Sequence, residues 1–285
     1  MKTIRELVAA ASDRLREAGI NASANLDARL LAQHVLSWDS ARLLASASEA
    51  APEGFPAAYE PLVARRVARE PLAYITGHRE FFGLEFEVSP AVLIPRPETE
   101  ILVEAVLSSM PTSQLFTMID ACTGCGNIAV AVAKARPNAR VIATDISGAA
   151  LEVARRNAAR HGVEGRVTFT RTDLFGNVGG GPVDVITVNP PYVPDQSGPG
   201  LQPEVGAHEP HVALFGGGKG GLNMVTRVIR EAPALIRPGG YLVFEFGLGQ
   251  EIEVEELLTA SSQLVLLDLK RDLQGIPRTA VARRT

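Results

Sequence analysis

The chain has 285 residues, 46% of them hydrophobic and 21% charged, and a formal net charge of −4. This composition suits a soluble globular protein of one large or two modest domains, and the acidic balance argues against direct, stable binding to nucleic acid by phosphate neutralisation. No uncharged apolar run approaches a membrane span, and Glu6, Asp13 and Arg14 interrupt any signal-peptide core, so a cytoplasmic protein with no membrane partner is expected.

Residues 1–77 read as a helical domain. Thr3-x-x-Glu6 is a capping box, and Ile4, Leu7, Val8, Ala11 and Leu15 then recur at helical spacing until Gly19. A second helix is expected over 23–36, burying Leu26, Leu30, Leu31, Val35 and Leu36. Residues 48–56, rich in Ala, Pro and Gly, read as a loop. A third helix is expected over 57–68, where Pro61 is tolerable only in the first turn. A short fourth covers 72–76. Trp38 and the helical leucines read as core. Up to Glu70, nine Lys and Arg balance nine Asp and Glu. The domain therefore reads as a packing or partner-docking module and not as a nucleic-acid clamp.

Residues 78–97 change period and read as a β-hairpin linker. Phe81 to Val88 alternates over its second half, Ser89-Pro90 turns, and Val92-Leu93-Ile94 returns. Pro95-Arg96-Pro97 then leads into a helix whose start carries Glu98, Thr99 and Glu100. Across 98–285, strands are expected at 116–120, 140–144, 166–170, 183–188, 240–246, 264–269 and 278–283, with helices between most of them. The fold class is therefore α/β, a doubly wound and mostly parallel seven-stranded Rossmann-like sheet with a small N-terminal helical domain.

The first chemical signal is the turn Asp120-Ala121-Cys122-Thr123-Gly124-Cys125-Gly126, which ends one strand and opens a helix. Its glycines let a ligand approach the backbone, and the helix start offers unpaired N–H groups. Asp145 lies nineteen positions after Gly126, at the end of the next strand, where a carboxylate can accept both ribose hydroxyls. Residues 124–129 also fit G-x-G-x-x-G/A, so a nicotinamide-dependent oxidoreductase is one reading. Two acids favour S-adenosylmethionine. Asp120 stands where a methionine ammonium would lie, and Asp173 after the third strand is placed to accept from an adenine amino group, with Leu174 and Phe175 against the ring. The plainer reading of Asp173 is a turn or cap residue.

The second signal is Asn189-Pro190-Pro191-Tyr192, at the end of the fourth strand, where open α/β sheets bind ligands. An amide-like nitrogen is a weak nucleophile because its lone pair is delocalised. Two acceptors on its N–H groups hold it and favour the charge that develops on attack. The Asn189 side-chain oxygen can be one acceptor and the Pro190 carbonyl the other. Prolines stiffen the loop, and Tyr192 can supply an aromatic wall. The plainer reading is a Pro-rich loop closing a strand. Cys122 and Cys125 form a C-x-x-C, but small side chains in a ligand-binding turn explain them better than redox chemistry. No metal is expected: His208-Glu209-Pro210-His211 lacks a third ligand nearby, and Pro210 spoils a helical pair.

These motifs resemble the HemK-type protein-glutamine methyltransferases that modify peptide-chain release factors. The resemblance rests on Arg79-Glu80-Phe81-Phe82, the run from Leu93 to Glu100, the cofactor loop, Asn189-Pro190-Pro191-Tyr192-Val193, Glu209-Pro210, and Ala213 to Gly217. It implies the Rossmann-like methyltransferase sheet in 98–285 and S-adenosyl-L-methionine as cofactor. It also implies a cofactor site of Asp120, Cys122, Thr123, Gly124, Cys125, Gly126, Asp145, Asp173, Leu174 and Asn189. Asn189, Pro190 and Tyr192 become the catalytic group, and with Pro191 they bind the substrate. The implied reaction is methylation of the glutamine side-chain nitrogen in the Gly-Gly-Gln motif of a release factor. Cys122 stands where the family usually has glycine, and Cys125 where a hydroxyl or similarly small residue is common. Asn-Pro-Pro-Tyr also serves enzymes that methylate exocyclic nitrogens of DNA adenine or ribosomal RNA guanine. A non-enzymatic binding protein on this fold is a third class, which the intact loop disfavours.

Overall fold

The computed structural model describes residues 2–176, 178–179, 181–218 and 220–285. They form two units: the chain up to Gly77 with Gln202–His208, and His78–Leu201 with Glu209–Thr285. Helix α1 (Ile4–Glu17) starts on the capping box, with Glu6 N donating to Thr3 Oγ1 at 3.2 Å and Thr3 N to Glu6 Oε2 at 2.8 Å. Helix α2 (Ala24–Leu36) buries Ala24, Asp27, Ala28, Leu31 and Ala32. Leu26, expected inside, is 56% exposed. The buried stripe follows i, i+3, i+4 from Ala24, and its small residues let neighbouring helices approach, which turns Leu26 outward.

Helix α3 (Ser40–Ala45) is not apparent from the sequence pattern. Asp39 caps it by accepting from Arg42 N at 2.7 Å. Trp38 is half-buried, with the Arg42 guanidinium 4.4 Å from its ring centroid. Helix α4 (Phe55–Val67) begins earlier than expected, with Pro56 in the first turn, so Pro61 sits in the helix interior. Its face is exposed, and there water can reach the Ala57 carbonyl that the proline leaves without a donor. Helix α5 (Leu72–Thr76) ends on Gly77, whose φ is 80°.

The second unit begins with a hairpin of β1 (His78–Phe81) and β2 (Leu84–Glu87). The turn is at Phe82-Gly83, with φ of 53° and 71°, and not at Ser89-Pro90. Two successive left-handed residues match the twist of a tight hairpin, and the Phe82 N–H is captured by Glu100 Oε1 at 2.8 Å. Residues 92–94 form no strand. Then follow α6 (Glu100–Ser109), β3 (Phe116–Ala121), α7 (Asn127–Ala135), β4 (Ala139–Asp145), α8 (Gly148–Arg160), β5 (Val167–Arg171) and β6 (Val183–Val188). Helix α9 (Pro203–His208) belongs to the first unit. The second resumes with α10 (Asn223–Glu231), β7 (Ile236–Glu245), α11 (Glu251–Thr259), β8 (Leu264–Arg271) and β9 (Pro277–Arg284).

The seven-stranded sheet has the order β5-β4-β3-β6-β7-β9-β8. Its strands are parallel except β9, which runs antiparallel to β7 and β8. This is the doubly wound, mostly parallel sheet expected. Two buried apolar clusters form the core of the unit. Chain order runs outward from β3 to β5, then returns to the other side of β3 with β6. A crevice therefore opens at the C-terminal ends of β3 and β6.

Candidate active site

That crevice holds an open cavity. Its wall includes Cys122, Thr123, Gly124 and Cys125 after β3, Asp145 after β4, Asp173 and Leu174 after β5, and Asn189 and Pro191 after β6. Residues distant in sequence are thus brought to one surface by the ends of four parallel strands.

The loop after β3 alternates hands. Cys122, Gly124 and Gly126 have φ of 57°, 55° and 81°. A Cβ on Gly124 would meet nothing within 4 Å, so its backbone faces open space on the cavity wall. Gly126 serves packing instead, since a Cβ there would lie 3.1 Å from that of Ala154. Asp145 accepts from Gly124 N at 2.9 Å and Ser147 N at 2.8 Å. Burial raises its carboxyl, and these two N–H groups oppose the shift. Cavity, open glycine backbone and oriented carboxylate fit the nucleoside part of S-adenosylmethionine. Asn157, fully buried, braces this loop by donating to Cys125 O at 2.9 Å and Glu87 O at 3.0 Å.

Asp120 is placed differently from expectation. It lies behind the loop, fully buried and not among the cavity-lining residues. Its oxygens accept from Thr123 Oγ1 at 2.6 Å and Thr187 Oγ1 at 2.8 Å. Burial pushes its carboxyl up to about 6 against those bonds. Asp120 therefore shapes the loop from beneath. Asp173 lines the cavity, but both its oxygens also accept from Arg227 at 3.1 Å. Leu174 is buried with φ of 48°, a left-handed strain for a bulky residue, and its carbonyl accepts from Thr144 Oγ1 at 2.8 Å.

Asn189 presents its side chain through a second set of groups. Its Nδ2 donates to Thr99 Oγ1 at 3.1 Å, and Thr99 donates to Glu245 Oε2 at 2.7 Å. The Tyr192 hydroxyl donates to Glu245 Oε1 at 2.9 Å. Burial pushes the Glu245 carboxyl up to about 7, opposed by the bonds from Thr99 and Tyr192. The Glu245 charge and burial hold the Tyr192 phenol well above its usual range. Pro190 and Tyr192 do not line the cavity, so Tyr192 is a buttress where an aromatic wall was expected. Glycines surround the loop after β6 because nothing larger fits. A Cβ on Gly216 would lie 2.5 Å from Pro191 O, and one on Gly221 2.1 Å from Tyr192 O. Gln250 Nε2 donates to Tyr192 O at 2.9 Å.

Asn157, Arg227, Glu245 and Gln250 do not emerge from the sequence, and Thr99 emerges only as part of a helix start. Glu245 had a signal: it is an acid between Phe244 and Phe246 at the end of an apolar strand, the placement that singled out Asp145. Both cysteines are free, and burial raises both thiols, Cys125 to about 12, which makes them poor redox groups. Among the described residues no group of three or more His, Cys, Asp or Glu could hold a metal, and no helix is long and apolar enough to cross a membrane.

Comparison with known proteins adds a second line. A family described as the PrmC N-terminal domain matches residues 6–77, and the methyltransferase small domain matches 98–200. The chain is 42% identical over 274 residues to a release factor glutamine methyltransferase of Cereibacter sphaeroides, covering 96% of each. It is 40% identical over 286 residues to one from Mycolicibacterium smegmatis, covering 100% of this chain and 99% of the relative. Among solved structures, a methyltransferase from Pyrococcus furiosus aligns with a TM-score of 0.53 at 20% identity, covering 77% of this chain and 96% of that one. That likeness concerns the fold alone.

Proposed function

The chain belongs to the release factor glutamine methyltransferase family, and from that premise we propose that it is a protein-(glutamine-N5) methyltransferase, using S-adenosyl-L-methionine on the Gly-Gly-Gln motif of a peptide-chain release factor. The observation that carries this reading is the position of Asn189 on the same cavity wall as Gly124 and Asp145. A cofactor half and an acceptor half meet there. Family membership also sets aside the nicotinamide reading of residues 124–129.

When bound, S-adenosyl-L-methionine supplies a methyl on a sulfonium; the N–C bond forms as the S–C bond breaks, leaving a neutral thioether, and the nitrogen releases one proton to solvent. Asp145 accepts from the ribose hydroxyls while the Gly124 and Ser147 N–H groups hold it. Asp173 keeps lone pairs beyond those used by Arg227 and receives the adenine amino group, with Leu174 against the ring. Asn189 Oδ1 accepts from the glutamine amide and holds its nitrogen in line, and Pro190, which does not line the cavity, stiffens the loop that carries Asn189. No strong base is needed where positioning and desolvation supply the rate. The helical unit helps dock the release factor, in the cytoplasm where translation proceeds.

The test is incubation of the protein with methyl-labelled cofactor and, separately, intact release factor, a Gly-Gly-Gln peptide, DNA and ribosomal RNA. Label should enter the release factor at the glutamine side chain. Label entering only nucleic acid would overturn the reading. Asp145→Ala should weaken cofactor binding by about 1–3 kcal/mol in calorimetry, the range for losing bonds to a charged group.

A further inference from the structure

The Asn189 amide can face the acceptor in two ways. With Oδ1 toward the cavity it accepts from an incoming NH₂ group. With Nδ2 toward the cavity it opposes donor to donor. The surrounding hydrogen bonds decide between the two. Here the deciding atom is Thr99 Oγ1, 3.1 Å from Asn189 Nδ2. A hydroxyl has one hydrogen. Thr99 commits it to Glu245 Oε2 at 2.7 Å, so toward Asn189 it can only accept. The NH₂ is thereby drawn to Thr99 and Oδ1 is left for substrate.

We propose that Glu245 is the positioning residue of this site: its ionised carboxylate, acting through Thr99, fixes Asn189 with the side-chain oxygen toward the acceptor. The inference rests on the acceptor being an amide NH₂, as in the proposed function. Geometry also limits what happens when a proton arrives. Each carboxylate oxygen accepts one hydroxyl hydrogen, Oε1 from Tyr192 at 2.9 Å and Oε2 from Thr99 at 2.7 Å, so a proton must displace one of the two donors. In the proposed switch it sits on Oε2, where it donates to Thr99 Oγ1. Thr99 then loses its acceptor, turns its hydrogen to Asn189 and pulls the amide oxygen inward. The site switches from acceptor to donor without any backbone movement.

Glu245 is 1% exposed, so solvent does not buffer this choice. Four groups act on it from the packed elements. Thr99 and Tyr192 favour its charge, Glu98 before α6 opposes it, and Arg278 on β9 supports it. Arg278 and Arg96 also act on the Tyr192 phenol. Burial dominates and raises the carboxyl to about 7, which places the switch near neutrality. Activity belongs to the ionised form, so turnover should rise with pH through that value and fall below it.

The experiment uses the full chain, ¹⁵N-labelled, with the Asn189 side-chain amide identified by its loss in Asn189→Ala. In the wild type these NH₂ resonances should titrate with a midpoint near 7. In Glu245→Gln they should stay flat. Methylation of release factor by the wild type should show the same acid limb. Glu245→Gln should lose the limb and, roughly, at least tenfold of its turnover, with cofactor affinity unchanged, as misplacement of one orienting group would give. A wild-type amide that does not titrate, or one that titrates equally in Glu245→Gln, overturns the inference even if release factor is methylated. A titrating amide in a protein that fails to methylate release factor supports the coupling and sinks the proposed substrate instead. Should Glu245→Gln not fold, Thr99→Ser against Thr99→Val decides: serine should keep the titration and valine abolish it, and the opposite pattern refutes it.

Discussion

The helical unit meets its buried acid with a cation, and the α/β unit does the same for Glu209, which Arg96 Nη2 reaches at 2.5 Å, but treats Asp120 and Glu245 in the opposite way. In the helical unit Asp27 is 5% exposed and accepts from Arg66 Nε at 2.8 Å and Ser23 Oγ at 3.0 Å. The same guanidinium reaches Glu204 Oε1 at 3.1 Å, and Arg69 Nη2 reaches Glu204 Oε2 at 2.8 Å. The buried Asp27 and the half-buried Glu204 there both meet cations. In the α/β unit Asp120 and Glu245 are fully or almost fully buried, and among the described residues neither forms an ion pair. Hydroxyls from Thr123, Thr187, Thr99 and Tyr192 are their donors. A cation neutralises a buried carboxylate and fixes a fold. Hydroxyls leave its charge expensive, which holds its proton equilibrium near neutral pH and makes it usable at a site.

The comparison breaks first at Arg66. Arg66→Ala leaves Asp27 buried without a cation, and a broken buried pair costs about 3–5 kcal/mol. Denaturant unfolding followed by circular dichroism should show a loss of that size. Cofactor affinity should change little, since every cavity-lining residue lies in the other unit. A loss below about 1 kcal/mol, the worth of an exposed pair, would mean that Asp27 and Arg66 do not differ in kind from surface charges.

The next effect concerns rate. Asn189→Ala removes a preorganised hydrogen-bonding group from the acceptor half of the cavity and should lower turnover by on the order of a hundredfold or more. Cofactor binding by calorimetry should change far less. Single-turnover methylation at the wild-type rate, with cofactor and release factor saturating, would strip Asn189 of its assigned role.

The two units also differ in how far the sequence discloses them. Strands of a buried parallel sheet are nearly continuous apolar runs, so 183–188 is read from the sequence with the bounds it has in β6. Helix α3 has six residues, too few to show a period, and its Asp39 cap is easily taken for loop. The hairpin turn at Phe82 is not legible, because a bulky left-handed residue is rare and this one is held there by a tertiary bond to Glu100. In the site, Asp145 and Asn189 were legible because they end strands and face the crevice. Asp120 differs from them in placement. It is one residue before the strand end, and alternation along β3 sends its side chain beneath the loop. Glu204 in α9 joins the helical unit from far along the chain, and helical periodicity in residues 1–77 carries no trace of it.

Asp120 sharpens the comparison through pH. Its folded carboxyl lies at about 6, above the ordinary value of 3.8, so the folded protein holds its proton more tightly than the unfolded chain. Its stability contribution is present in full below the unfolded value and is lost as pH rises through the folded one. Between about pH 4 and 6 the wild type should lose on the order of 2 kcal/mol through this group. Asp120→Asn removes the titration and should flatten that part of the stability profile. Equal slopes in the two proteins, from urea melts across the window, would show that Asp120 is not desolvated as its burial implies.

The smallest effect tests strain in the cofactor loop. Cys122 is a non-glycine residue with φ of 57°, which costs about 1–2 kcal/mol for an L-residue. Cys122→Gly relieves that cost. It also loses the half-buried thiol, which packs beside the apolar cluster on that face of the sheet, and adds glycine's chain entropy, roughly 0.5–1 kcal/mol. The opposing contributions nearly cancel, so stability should move by less than about 1 kcal/mol in either direction. Cofactor affinity should hold, because the proposed binding groups are the loop backbone and Asp145. Cys122→Val keeps the left-handed strain and adds β-branching, so it should be the less stable of the two. A large loss of affinity in Cys122→Gly, with the fold intact, would show that the thiol itself contacts the ligand and that the loop uses side chains as well as backbone.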